Sequence, residues 1–526
     1  MKHLLFLICL LSSLGSFSFA QIWTEETKIV ASDREEDEGF GHAVARTGDL
    51  AVISAIYEDE DENGANPMGG AGAAYIFERQ SNGTWVEVQK IVASDRNGSD
   101  RFGQSVAILG TTIIVGAEEH EFDLNGENDE SKAGAVYIFE KQADGFWDET
   151  QKIVAQDRNN QSYFGCSVAA YGDYLVIGAE GDTRDANGEN PVSQCGSAYV
   201  YKLGQDAQWV LNKKLTPIIR RYHERFGCDV AIHKKRIVIG AFQDAETSSY
   251  PERGAAYVFE LDIDDEWMPI QKILPTSRSK ERFGWSVDLN DELIIVGAYM
   301  NWATPTYLDS ETGAAYAFEK NKTTGEWNQT VKFVKSDPKQ SDHFGYDVAI
   351  DNSYLVISGR RVNISRGEVY VFNYSANQWK GLDIITCSSA EAGDYFGTAV
   401  DIWNGKILVG AVGEDHDLEG NNKMEASGAA FFYTAEAKLS EPTSQIRTNA
   451  IFPNPSTGDF TMTFDQLKED ITIEIIDLNG KKVFEQSAQN TNHISVKSTL
   501  QPGLYLVRSS LNGTAVSPQK LIITNN

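Results

Sequence analysis

Cysteine is scarce: there are five in 526 residues, and Cys9 lies in the apolar start of the chain. The other four, Cys166, Cys195, Cys228 and Cys387, allow three pairings among which sequence cannot choose. Their spacing matches no zinc motif. Positive charge is also short, with 46 Lys and Arg against 76 Asp and Glu and a net charge of −30. Such a surface repels phosphate backbones and anionic headgroups, so neither nucleic acid nor an anionic membrane is an expected partner. Beyond the first twenty residues no apolar run approaches the roughly 20 residues a helical membrane span needs. There is no G-x-S-x-G elbow, no H-E-x-x-H and no phosphate loop ending in Gly-Lys-Ser/Thr. The eight histidines are scattered. No catalytic residue is nominated, and the chain is expected not to be an enzyme.

What is present begins with an address. Lys2 and His3 lead into an apolar run from Leu4 to Leu14, and Ser18-Phe19-Ala20 offers small residues at −3 and −1. This predicts a secretory signal peptide over 1–20, cleaved before Gln21.

Phe-Gly then recurs at Phe40, Phe102, Phe164, Phe226, Phe283, Phe344 and Phe396, at intervals of 52 to 62 residues. A strand-like stretch follows each, then an almost wholly apolar one such as TIIVGA or YLVIGA. After a variable loop comes a third, such as GAVYIFE, and a fourth that starts at Trp and runs through a motif like QKIVASD. Strands apolar on both faces must be covered on both sides, which radially stacked four-stranded sheets provide. Repeats of a parallel β-helix would be much shorter. The pattern therefore predicts an all-β protein with a seven-bladed β-propeller over 21–435. Trp23, Trp85, Trp147, Trp209, Trp267, Trp327 and Trp379 each precede an FG by 16 or 17 residues, and the seventh repeat ends at Tyr433 with no Trp strand after it. The first Trp strand, Trp23 to Ala31, is therefore predicted to be the outer strand of blade seven, closing the ring.

These motifs resemble the FG-GAP repeats of integrin α-subunit propellers and of bacterial surface proteins, over roughly 21–435. The calcium loop of those propellers, a D-x-D-x-D-G run between first and second strands, is replaced here by short turns such as Gly172 to Tyr174. Calcium binding at that position does not carry over. After a polar linker, 436–449, the texture changes to short alternating strands over 450–526, predicting a small β-sandwich. Pro453-Asn454-Pro455, the run Asp477 to Lys481, and Pro502-Gly503-Leu504-Tyr505 resemble the type A sorting domain of the type IX secretion system. The resemblance implies the type IX machinery as a partner and secretion or attachment at the outer cell surface.

Candidate sites lie in the second-to-third and inter-blade loops, which share one face. Four second-to-third loops carry Asp, Asn and Gly: Asp61, Asn63 and Asn66; Asp123, Asn125 and Asn128; Asp185, Asn187 and Asn190; Asp417, Glu419 and Asn422. Oxygen ligands at alternate positions around a Gly suit calcium, and the same residues form ordinary turns. Calcium is thus the one candidate cofactor. The loops of blades seven, one, two and three make an acidic arc. Opposite it stand Arg220, Arg221, His223 and Arg225 entering blade four, Arg278 and Arg282 entering blade five, Arg360 and Arg361 in blade six, and Tyr299 and Trp302 in blade five. Arg and aromatic side chains are common binding anchors. The expected function is a secreted or surface binding protein, monomeric, that presents this arc to an extracellular protein or glycan. The alternatives are a glycan-processing hydrolase or lyase with an axial site, and a calcium-stabilised spacer.

Overall fold

The computed structural model describes the chain except for residues 1–18, 246–251, 277–279, 302–310, 440–447, 453–455, 458, 478–480, 498, 512–513 and 525–526. The signal peptide, most of the linker and part of the sorting motif lie outside the described residues. The chain divides into two compact units, Ile22–Glu436 and a second that holds Ala437–Asn526.

Seven four-stranded antiparallel sheets make up the first unit. Blade one is Phe40–Thr47, Leu50–Ala55, Ala73–Arg79 and Trp85–Ile91, paired in that order from axis to rim. Blade seven has its inner strands at Phe396–Trp403, Lys406–Ala411 and Ala429–Leu439, and its fourth strand is Phe19–Ile29. The first strand of the chain thus closes the ring, as the Trp spacing predicts.

The hydrophobic cores lie between blades. Leu50, Val52 and Ile76 of blade one pack with Phe102, Val115, Tyr137 and Trp147 of blade two. At the closure, Ile53 and Tyr75 pack with Leu408 and Phe432 of blade seven. This is why the second and third strands are apolar on both faces. The recurring glycines allow the blades to approach at their FG ends. A Cβ on Gly134, whose φ is +85°, would lie 2.0 Å from the Phe164 carbonyl oxygen, and one on Gly116 would lie 2.0 Å from that of Gly165.

The QKIVASDR words join blades by hydrogen bonds. Gln89 grips the outer strand of the next blade, accepting from Trp147 N–H and donating to its carbonyl, both at 2.7 Å. Gln151 does the same to Trp209. Ser32 and Ser94 donate to Glu87 and Glu149. The arginine reaches back to the preceding blade's second-to-third loop: Arg34 to the Asn422 and Asp415 carbonyls, Arg96 to those of Asn66 and Asp59, Arg158 to those of Asn128 and Glu121.

In the second unit the long strand Asp459–Ile476 pairs with Lys482–Lys497 along one edge. On its other edge its first part pairs with Thr448–Phe452 and its last part with Gly503–Leu511, which pairs in turn with Thr514–Ile523. Phe460, Met462, Ile473, Ile475, Val496 and Val507 form its core.

Candidate functional site

The inner strands of all seven blades surround an axial cavity of about 260 Å³. The residue after each FG faces it: His42, Gln104, Cys166, Cys228, Trp285, Tyr346 and Thr398. Cys166 and Cys228 are neighbours there, as their shared motif predicts, and all four described cysteines are free thiols. Burial pushes the Cys166 and Cys228 thiols up, which disfavours their thiolates.

Four carboxylates stitch the axial strands of adjacent blades. Asp229 accepts from Val287 N–H at 2.7 Å, Asp288 from Ile350 at 2.7 Å, Asp347 from Val400 at 2.7 Å and Asp401 from Arg46 at 2.6 Å. Burial raises Asp229 and Asp401 to about 6, Asp347 to about 7 and Asp288 to about 8, against the lowering pull of those N–H groups.

At the FG end a collar of side chains rims the axis. The residue before each FG after the first (Arg101, Tyr163, Arg225, Arg282, His343 and Tyr395) has a positive φ of 51 to 56°. That left-handed turn interleaves it with the residue following the second strand. On one side the collar is acidic: Arg101 pairs with Glu118 and Glu119 at 3.4 and 3.3 Å, and Arg225 with Glu180 at 3.1 Å. Burial pushes Glu118 to about 8. On the other side it is aromatic and cationic. Trp285 meets Phe242, Tyr299 and Tyr346 with ring centroids 5.0, 4.8 and 5.6 Å apart. Arg360 lies 4.4 Å from the Tyr346 ring and 4.9 Å from that of Tyr395, and Arg282 donates to the Tyr299 hydroxyl. Burial, with Arg361, Arg360 and Arg282 nearby, pushes His343 down to about 3. Burial, Arg360 and Arg101 push His42 down to about 4, so both imidazoles are neutral.

The structure thus brings Arg225, Arg282, Arg360 and Tyr299 together at the mouth, with Arg361 beside them on the outer face of blade six. Arg220 has another role. It is the fourth of the arginines at the Arg34, Arg96 and Arg158 register, and it donates to the Asn190 and Thr183 carbonyls. A guanidinium held that way braces a loop. Arg221 pairs with Glu224 at 3.5 Å, and the exposed His223 meets Gln194 Oε1 through Nδ1 at 2.6 Å. Arg278 and Trp302, with Tyr250 and Tyr307, lie outside the described residues. Sequence reasoning missed Phe242, Trp285, Tyr346 and Tyr395. The signal was the register around x-F-G-x, compared across all seven repeats.

The four Asp-Asn-Gly loops are closed on themselves. Asp61 accepts from the N–H groups of Asn63 and Ala65 at 2.9 and 3.0 Å and from Asn66 Nδ2 at 2.6 Å. Asp123 repeats this with Asn125, Glu127 and Asn128, Asp185 with Asn187, Glu189 and Asn190, and Asp417 with Glu419, Asn421 and Asn422. Backbone donors from Asn421 and Asn422 hold the Asp417 carboxyl down at about 2. These donors engage each Asp carboxylate within its own turn, as Asp and Asn do in ordinary turns. A lysine stands beside each loop. Lys152 Nζ reaches Asp95 at 2.6 Å, His120 Nε2 at 2.9 Å and the Asp123 carbonyl at 2.9 Å. Lys28, Lys90 and Lys214 likewise meet Glu414, Glu58 and Asp182.

The fold and this rim define a seven-bladed β-propeller with an electrostatically polarised axial mouth. The chain belongs to the FG-GAP repeat family, which it matches at 23–77, 85–139, 147–201, 209–259, 267–318, 327–372 and 379–433. Each match starts at a Trp strand and runs into the following blade, the offset that ring closure exploits. Residues 450–524 match the secretion system C-terminal sorting domain, which implies secretion toward the cell surface by the type IX machinery. Among the described residues no helix is long and apolar enough to cross a membrane. One similar protein is the ulvan lyase NLR42 of Nonlabens ulvanivorans, 29% identical over 86 residues, which are 16% of this chain and 16% of that protein. Sqt1 of Saccharomyces cerevisiae aligns over 95% of this chain and 99% of its own at 8% identity, with a TM-score of 0.39.

Proposed function

We propose that this secreted protein is a binding protein that presents the mouth face of its propeller to an extracellular protein or glycan. The observation that carries the reading is the collar of Arg282, Arg360, Trp285, Tyr299, Tyr346 and Tyr395. It gathers cations and aromatic rings on one arc of a strongly acidic chain. Such groups anchor ligands because their burial repays the cost of ordering the interface. The labelled full-length protein, applied to glycan and extracellular-protein arrays, is expected to mark a restricted ligand set. Arg282→Gln with Arg360→Gln should weaken that capture by about tenfold or more at unchanged Tm, the scale of losing charged anchors. Undiminished capture by a folded double variant would refute the reading.

A second reading, a glycan-active enzyme with an axial site, is favoured by Asp229 and Asp347, which line the cavity and whose carboxyls burial raises to about 6 and about 7. Groups that titrate near neutrality suit general acid–base work. Both nevertheless accept main-chain N–H groups that a purely structural role explains. Incubation with polysaccharides, followed by assay of released ends, separates the readings. Turnover lost in Asp347→Asn would favour the enzyme, and no turnover would reject it.

A further inference from the structure

Blade six departs from its neighbours on the mouth side. Its second-to-third connection runs only from Arg360 to Gly367, and Asn363, Ile364 and Ser365 in succession have φ of 54, 62 and 61°. Left-handed backbone at non-glycine residues costs about 1–3 kcal/mol each, and a β-branched residue is among the least suited to it. The turn is closed by Ser365 N–H to the Arg361 carbonyl and Gly367 N–H to that of Val362, both at 3.1 Å. Arg361 and Arg366 are thereby set at the two ends of one tight turn. With Lys339 and Ser341 of the inter-blade segment they line an open cleft of about 650 Å³, within the roughly 300–1,000 Å³ common for ligand sites.

The acids near this cleft are already engaged. Asp342, in its wall, accepts from Lys339 N–H at 2.8 Å and pairs with Lys335 at 3.4 Å. Glu368 is held by Asn363 Nδ2 and by the Tyr370 hydroxyl. Among the described residues neither the Arg361 and Arg366 guanidiniums nor the Lys339 ammonium makes a hydrogen bond or ion pair. Four other arginines of this face have partners: Arg220 two carbonyls, Arg225 Glu180, Arg282 Glu252 and Arg360 two rings. Three unspent cations in one cleft repel each other, in a chain with 76 acidic side chains available to pair them. An oxyanion relieves that repulsion, and guanidinium matches a carboxylate or sulfate through two parallel N–H bonds.

We infer that the Arg361–Arg366 cleft binds a carboxylate or sulfate group carried by an acidic glycan. The rest of the lining is polar and suits the hydroxyls of a sugar chain. Ser341 and Ser365 offer hydroxyls, Asn363 its amide oxygen, and Ile364 is the one large apolar side chain. The inference rests on the mouth face being the binding face.

Affinity electrophoresis of the full-length protein tests it, with polygalacturonate (carboxylate only), dextran sulfate (sulfate only), neutral dextran and poly-glutamate as gel additives. Retardation by one or both charged polysaccharides is expected, with none by dextran, and the polymer that retards assigns the group. Arg361→Gln with Arg366→Gln should raise the apparent Kd by about tenfold or more at unchanged Tm. Lys423→Gln, an exposed cation on blade seven, should not. Retention by neither polysaccharide, equal loss in Lys423→Gln, or preference for poly-glutamate overturns the proposal. If the double variant binds like the parent while Arg282→Gln with Arg360→Gln releases the polymer, the cleft is refuted and the mouth reading stands. If all four substitutions leave retention unchanged, both fail.

Discussion

Arg46 occupies a position that is apolar in the six other inner strands, from Ile108 to Ile402. It is buried at the ring closure beside the stacked Trp85 and Phe432 rings, 5.1 Å from each centroid, and none of its guanidinium nitrogens has a hydrogen-bond partner. Burial lowers its pKa to about 10. Two cation–π contacts return about 1–2 kcal/mol each at most, whereas an unbonded buried charge costs several. Arg46→Leu is therefore expected to stabilise the protein by about 1 kcal/mol, seen as a higher Tm in calorimetry; a lower Tm would show that the stacked cation is a net asset. The same scale separates the arginines of the mouth. Arg220 and Arg225 lie five residues apart and look alike in sequence, yet one holds two carbonyls and the other faces Glu180 across the collar. Only the register shared with Arg34, Arg96 and Arg158 distinguishes them.

At the scale of elements, the second-to-third loops show how one residue pattern serves two chemistries. Asp, Asn and Gly at these spacings suit both a calcium loop and a turn, and the deciding residue is on another strand. Lys152, from the outer strand, brings its ammonium to Asp95, His120 and the Asp123 carbonyl. The chain thus sets a cation of its own beside this loop. Chelator should leave Tm unmoved in the parent. Lys152→Ala should lower stability by about 2 kcal/mol, since hydrogen bonds to charged groups contribute about 1.5–3 kcal/mol. A chelator-sensitive parent in a thermal-shift assay would contradict this arrangement. The repeat phase was legible because the Trp strands keep their spacing. The collar was not, because residues flanking FG turn toward or away from the axis by backbone geometry that sequence spacing does not encode.

For the whole molecule, the axial carboxylates set the pH response. Asp229, Asp288, Asp347, Asp401 and Glu118 all titrate above their ordinary range when folded. The folded state therefore holds more protons than the unfolded one, and their stabilising contribution is complete below about pH 4 and lost as pH rises through 6 to 8. His42, His233 and His343, shifted down, act oppositely below their unfolded value, but Glu38, Glu224 and Asp394 are raised as well and outweigh them. Carboxyls with depressed values, such as Asp182 and Glu414, weaken the fold only below their unfolded range near 4. Tm is thus expected to peak near pH 5 and to decline toward pH 8 in a buffer series, and a Tm that rose over that interval would count against the buried ring of acids.

The sequence by itself determined the architecture. Seven FG registers, doubly apolar strands and an orphan Trp strand at the start permit one closed arrangement, because every such strand needs cover on both faces. The tertiary structure alone decided the site. Which arginine is spent on a carbonyl, which aromatic rings meet at the axis and which lysine fills a loop depend on contacts between residues about 60 positions apart. Those contacts arise only when the closed ring brings neighbouring blades together.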